Sequence, residues 1–294
     1  MIKTLLVSVL LTCAWSSQAM ARQVFTCEPE WAALAGELGG DRLKITSATR
    51  AHDDPHWLEA RPGLIAMARS ADLVVCTGLG VEQSWLPPLL GVSRNASVQP
   101  GAPGYFEAGL YVRSVDVAGD LAGQHILGDP RNVLPIAKAL AERLAAIDPG
   151  HAAYYDARHR DFAARWCEAL VRWQSEAAPL KGMAIAQHHN AWSYLVQWLG
   201  LHEVARIETS MGADANAKQL GEVLARLRQD RPRLFLAAPY HHVQAAAWLG
   251  RRLPVTVVDL PATVGSDEQA KDLFTLFDDT LNRLLSAARP QAAS

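Results

Sequence analysis

The chain has 294 residues and a formal net charge of −2, with 50% hydrophobic and 20% charged residues. That length suits two domains of ordinary size, and the composition excludes a disordered or low-complexity chain. The near-neutral charge argues against a nucleic-acid binder, which needs an excess of Lys and Arg to meet phosphates. The four cysteines form no Cys-x-x-Cys pair, whereas several of the ten histidines sit beside carboxylates in loops.

The first segment reads as an export signal. Lys3 precedes the apolar run Leu5 to Ala14, and Ala19-Met20-Ala21 is a small-x-small cleavage site. The run is shorter than the roughly 20 apolar residues that a bilayer span requires. Lipidation at Cys13 is the weaker alternative, because Thr12 is a poor residue before a lipidated cysteine. Removal of residues 1–21 and export to a bacterial periplasm are expected.

From Gln23 to Cys27 the chain reads as a strand, followed by a helix carrying Trp31, Leu34 and Leu38 at helical spacing and stopped by Gly39-Gly40. Arg42 to Ser47 alternates as a strand and runs into the polar loop Thr49 to His56. Pro62 opens a second helix with Leu64, Ile65 and Ala68 on one face, and Ala71 to Cys76 is a buried strand. Strand–helix–strand–helix–strand order implies a parallel sheet covered on both faces. The Gly- and Pro-rich stretch Gln99 to Gly128 reads as loop with short strands.

Two helices follow. Val133, Ile136, Ala137, Leu140, Leu144 and Ile147 share a face of the first, which Asp148-Pro149-Gly150 ends. In the second, Tyr155, Phe162, Trp166, Leu170 and Trp173 stay in register for roughly 28 residues, about 42 Å, toward Pro179. A helix of that length suits a connector. Strands are then expected at Met183 to Ala186, Arg233 to Ala237 and Val255 to Val258. The helices between and after them are Ala191 to Leu199, Leu220 to Leu227, Val243 to Leu249 and Asp272 to Leu285. The fold class is therefore α/β: two lobes, each a small parallel sheet flanked by helices, joined by one long helix. The expected division is 22–149, connector 150–179, and 180–294.

In open parallel sheets ligands bind beyond the carboxyl ends of the strands. Four such positions stand out: His56 in DDPHW, His125 in GQHILGDP, His189 in QHHNAW and Asp259 in VVDLP. Three imidazoles and a carboxylate suit tetrahedral Zn(II), whereas Mn(II) or Mg(II) would favour more oxygen. A single loop histidine is more often a surface residue than a ligand, and none of the four lies in a compact metal motif. Their joint placement, two in each lobe near strand ends, raises the metal reading to equal weight. Glu208 and Asp267 could replace Asp259, and His52, His188, His241 and His242 are nearby candidates for supporting roles. His151, His159 and His202 read as structural or solvent-facing. No GxSxG elbow, P-loop or GxGxxG marks an enzyme, since GLGVEQ lacks the third glycine.

The segments DPHWLEARPGLIAMARSADLVVCTGLGVEQSWL, HILGDPRNVLPIAKALAERLAAIDP, HHNAWSYLVQWLGL and VVDLPATVG together resemble the zinc- and manganese-binding solute-binding proteins of bacterial ABC transporters. The resemblance covers essentially the whole mature chain. It implies His56, His125 and His189 as successive ligands, His189 standing where manganese members tend to carry Glu, and Asp259 as the last carboxylate. It also implies two α/β lobes bridged by a rigid helix, capture of Zn(II), and delivery to an inner-membrane permease and its ATPase, without catalysis. A periplasmic metallochaperone is a further candidate partner, and a monomer is expected. Two departures stand: the long His- and acid-rich loop of many zinc members is reduced to His52-Asp53-Asp54, and the segment before His125 is short. A Mn(II) or Fe(II) binder of the same fold is the nearest alternative, and a secreted zinc hydrolase a more distant one.

An exported protein folds in an oxidising compartment. Cys27 ends the first strand and Cys76 the third, neighbours in a doubly wound sheet, so a Cys27–Cys76 disulfide is expected against the alternative of two buried thiols. Cys167 on the long helix would then be free.

Overall fold

Arg22–Thr26 (β1) runs between two parallel neighbours, Leu43–Ser47 (β2) and Leu73–Cys76 (β3), and β3 pairs in turn with Tyr105–Glu107 (β4). The computed structural model describes residues 20–113, 123–187, 190–207, 217–237 and 255–289. The strand order β2-β1-β3-β4 is repeated in the second half as β6-β5-β7-β8, again all parallel. There Ala184–Gln187 is β5, His202–Arg206 β6, Leu234–Ala237 β7 and Thr256–Asp259 β8. The central strands LVVC (β3) and LFLA (β7) are buried at every residue, as strands covered on both faces must be.

Alternation along each strand sorts the packing. Val24, Leu73, Val75 and Phe106 point to the inner face of the first sheet, while Phe25, Val74 and Cys76 point to the outer face. Pro62–Ser70 (α2) and Leu86–Ser93 (α3) cover the outer face through Leu64, Ala68, Leu86, Leu89 and Leu90. The inner face meets Pro29–Gly39 (α1), Val133–Ile147 (α4) and Ala152–Glu176 (α5). That same cluster continues through Ser193–Leu199 (α6) and the terminal helix Leu273–Ala288 (α8) to Ile185, Leu234, Leu236 and Val258 of the second sheet. One hydrophobic core thus runs through both halves. The outer face of the second sheet has its own cluster, where Ala217–Asp230 (α7) contributes Leu227.

The long helix α5 has 25 residues, about 37 Å. It buries Tyr155, Phe162, Trp166, Ala169 and Trp173 along one stripe. Trp166 and Trp173 pack against Phe274 and Phe277 of α8 with ring centres 4.8 to 6.5 Å apart. It ends at Glu176, short of the expected limit near Pro179, and Ala178–Leu180 continues as a 3-10 turn.

Two elements were not expected from the sequence. In α3 the prolines Pro87 and Pro88 occupy the first turn, where a missing N–H costs nothing, instead of breaking a helix. Strand β6 (HEVAR) lies on a sheet edge, which tolerates its exposed His202. The expected helix Val243 to Leu249 lies outside the described residues.

Cys27 and Cys76 are joined as a disulfide, with Cα atoms 4.8 Å apart, tying together the carboxyl ends of adjacent β1 and β3. Cys167 is exposed and free.

Candidate metal site

In a sheet ordered 2-1-3-4, the helices after the first and third strands pack on opposite faces, which opens a crevice at the carboxyl ends of those two strands. Here that crevice lies beyond β1 and β3, and the second sheet repeats the same strand order. Residues from both halves line one cleft: Glu28, Glu30, Trp31, Thr77 and His125 on one side, and Trp192, Leu195, Pro261, Ala262 and Phe277 on the other. A smaller adjoining hollow is lined by Glu28, Glu30, His125, Ala262 and Thr263, together with the Arg50–Asp53 loop.

His56 is 6% exposed and held through its backbone. Its N–H donates to Asp54 Oδ1 at 2.9 Å, its carbonyl accepts from Ser84, and the indole of buried Trp85 donates to the preceding Pro55 carbonyl at 2.9 Å. The polar loop is closed on itself by Arg50 and Asp53, whose pairing, with backbone hydrogen bonding, outweighs burial and lowers the Asp53 pKa.

His125 is half-buried and precedes a turn fixed by Asn132 Nδ2 on the Ile126 carbonyl at 2.8 Å and by the Asp129–Arg131 pair. Gly128 lets this turn approach α6, since a Cβ there would lie 3.1 Å from the Leu195 nitrogen. The preceding Gln124 donates to the Leu79 carbonyl at 3.1 Å.

The structure brings His56 and His125 together. Their ring centres are 5.4 Å apart, edge to face at 83°. Two imidazoles bound to one tetrahedral ion at about 2.0–2.1 Å would have centres about 5 Å apart. The pair therefore fits a shared cation.

His189, with His188, lies outside the described residues, as do Glu208, His241 and His242. The chain enters that segment from β5 at Gln187 and leaves it at Asn190, both buried. Asp259 ends β8 with an exposed side chain, while its carbonyl accepts from Arg283 at 3.0 Å. Asp267 is ion-paired with Arg283 and accepts from the backbone N–H groups of Gln269 and Ala270. His52 is exposed in the Arg50–Asp53 loop.

Three carboxylates passed over at the sequence level lie at the crevice. Glu28 and Glu30 flank Pro29 where β1 turns directly into α1, and Glu82 lies beyond β3. Glu28 is 3% exposed; its Oε2 accepts from Thr77 Oγ1 at 3.1 Å, while Oε1 receives no hydrogen bond from a described residue. Burial, reinforced by the charges of Glu82 and Glu30, holds the Glu28 pKa well above the usual carboxylate range. Glu82 accepts from the backbone N–H groups of Thr77 and Gly78 at 2.7 and 3.0 Å, yet burial pushes its pKa up to about 7. Burial also raises Glu30, against the opposing effect of the Thr263 hydroxyl, which donates to Oε2 at 2.5 Å. The signal was available: EPEW follows the first strand, the position from which the histidines were chosen, but its acids pass for ordinary helix-start residues.

The family model of the periplasmic zinc-uptake complex component A, ZnuA, matches residues 24–287. The chain belongs to this family.

Family members are metal-binding, substrate-binding transport proteins and not enzymes, which sets the hydrolase alternative aside. The manganese ABC transporter substrate-binding lipoprotein PsaA of Streptococcus pneumoniae is 25% identical over 228 residues, covering 73% of this chain and 71% of that protein. The iron-binding protein YfeA of Yersinia pestis is 23% identical over 200 residues, covering 67% and 63%. In fold, the crystal structure of ZnuA matches with a TM-score of 0.78 at 19% identity, over 92% of this chain and 100% of that one. The Mn-bound periplasmic metal-binding protein of Candidatus Liberibacter asiaticus matches with a TM-score of 0.75 at 13% identity, over 90% and 98%. The doubled α/β architecture with a long helix is thus the family's fold.

Proposed function

We propose that the chain captures Zn(II) in the periplasm between lobes 22–149 and 180–294, and delivers it to an inner-membrane ABC permease driven by its ATPase. Residues 1–21 serve export, residues 150–179 connect the lobes, and the carrier acts as a monomer that a periplasmic metallochaperone could load. The observation that carries this reading is the edge-to-face pair of His56 and His125, 5.4 Å apart at the cleft between the two sheets. With His189 they supply three neutral imidazoles, a nitrogen-rich set that favours Zn(II). A carboxylate completes the set, and the sequence puts Asp259 forward for it.

Manganese or iron as cargo is the second reading. It is supported by the names of PsaA and YfeA and by the acids that line the cleft, because harder ions prefer oxygen.

Metal analysis and competitive titration of residues 22–294 test both. His56→Ala, His125→Ala and His189→Ala should each weaken Zn(II) binding by more than about 100-fold, the upper end of what an outer-shell partner costs. Unchanged affinity in all three variants would reject the site. Equal affinity for Mn(II) and Zn(II), against the intrinsic order that favours zinc, would support the second reading.

A further inference from the structure

We propose that Gln124 is a positioning residue for the captured ion. Its amide clasps the loop that carries His125 to the left-handed turn after β3, and so sets how tightly and how long the ion is held. This rests on the reading of the cleft as the metal site.

Three consecutive residues of that turn, Gly78, Leu79 and Gly80, have positive φ, of 73°, 55° and 86°. Glycine takes such values without strain, but leucine does not. Leu79 is held there from two sides. Its side chain, 43% exposed, lies over Gly109, where a Cβ would come within 2.4 Å of the leucine Cγ. Its carbonyl accepts from Gln124 Nε2 at 3.1 Å. A Cβ on Gly80 would stand 3.2 Å from that same nitrogen, so the turn leaves room for the amide. His125 follows Gln124 directly, and Asn132 ties the far side of the same loop through the Ile126 carbonyl. Strained residues persist where their surroundings over-determine them, and they gather at ligand clamps.

The bond to Leu79 also fixes which way the amide faces. Nε2 must meet the carbonyl, because the amide oxygen in its place would oppose another acceptor. Oε1 is therefore turned from the Leu79 carbonyl. It is buried in a side chain that lines the cleft, and no described residue donates to it. Buried acceptors are normally satisfied. A bound dication brings donors, since the N–H groups of its imidazole ligands are held by outer acceptors. The ordinary reading, an amide that closes two loops, accounts for the bond to Leu79. It does not account for a strained leucine where glycine would serve, or for the buried oxygen left over.

The test uses residues 22–294 with Zn(II) competition titration, stopped-flow release of Zn(II) to excess chelator, and thermal melting without metal. Gln124→Met keeps the volume but cannot donate. It should weaken Zn(II) binding about 10- to 100-fold, as loss of an outer partner does, and speed release by a similar factor with little change in the metal-free melt. Leu79→Val should act in the same direction, because a branched side chain resists positive φ and displaces the carbonyl. In the double variant the two losses should fall short of additive, since both act through one bond. Leu79→Asn, which tolerates the left-handed conformation and keeps the carbonyl, should bind and release as wild type does. If Gln124→Met does not fold, Leu79→Val against Leu79→Asn makes the same comparison, and equal affinity and release in those two would overturn the proposal. Wild-type affinity and release in Gln124→Met would also overturn it, as would a lowered melt with affinity unchanged or full additivity with Leu79→Val. Wild-type affinity in His56→Ala and His125→Ala would instead overturn the histidine site itself, a separate result.

Discussion

The indole N–H of Trp173 donates to Asp278 Oδ1 at 2.6 Å, fastening the long helix α5 to the terminal helix α8. Arg172 pairs with the same carboxylate at 2.8 Å, so one acid serves two consecutive residues of α5. Trp173 is fully buried, and its N–H would lose its partner if Asp278 were removed. Asp278→Ala should therefore destabilise the protein by about 1–3 kcal/mol, the cost of an unsatisfied buried donor. Denaturant unfolding measures that loss. Zn(II) affinity should be unchanged, because neither residue lines the cleft.

The Cys27–Cys76 bond closes a 49-residue separation. Chain entropy assigns such a loop about 4 kcal/mol. The unreduced, unfolded protein lacking residues 1–21 should show one titratable thiol, that of Cys167, and three would refute the bond. Cys27→Ser with Cys76→Ser should lower the denaturant midpoint accordingly.

Buried Glu82 holds its proton up to about pH 7, whereas in the unfolded chain it releases it near the ordinary value of 4.5. Between these values the folded state binds more protons. Stability from this group is full below about pH 4.5 and is lost as pH rises toward 7. Glu28 and Glu30 are shifted in the same direction. Unfolding of metal-free protein across that range should show a decline in wild type and a flatter profile in Glu82→Gln. Equal slopes would contradict the burial of this acid.

Metal binding should depend on pH in the opposite sense. Imidazole ligands must be neutral, so Zn(II) affinity should fall as pH drops below about 6.5. Chelator competition between pH 5 and 8 measures the slope. A flat profile would argue against histidine ligation.

Much of the fold could be read in advance because the strands LVVC and LFLA are buried on both faces and therefore uniformly apolar. The aromatic stripe of α5 was visible for a similar reason: a helix packed along its length must keep its period. The short helix α3 was hidden by Pro87-Pro88, whose meaning depends on whether they stand in a first turn or in an interior. Strand β6 was hidden because an edge strand need not be apolar. At the site, His56 and His125 could be chosen by their place after strands, but their meeting depends on Trp85, Ser84 and Asn132 holding two separate loops. Glu28 and Glu30 escaped notice because acids at a helix start have an ordinary explanation. Only the sheet order reveals that this helix start faces the crevice.

The core that α1, α4, α5, α6 and α8 share between the two sheets has a thermodynamic consequence. Neither half encloses its own inner face, so each would expose a broad apolar surface if cut from the other. Heating should give a single calorimetric endotherm, and fragments split within α5 should regain structure only when mixed. If an ion is held between the halves as proposed, swinging them widely apart would break this shared core, so its residence time should follow how readily the loops carrying His56 and His125 yield.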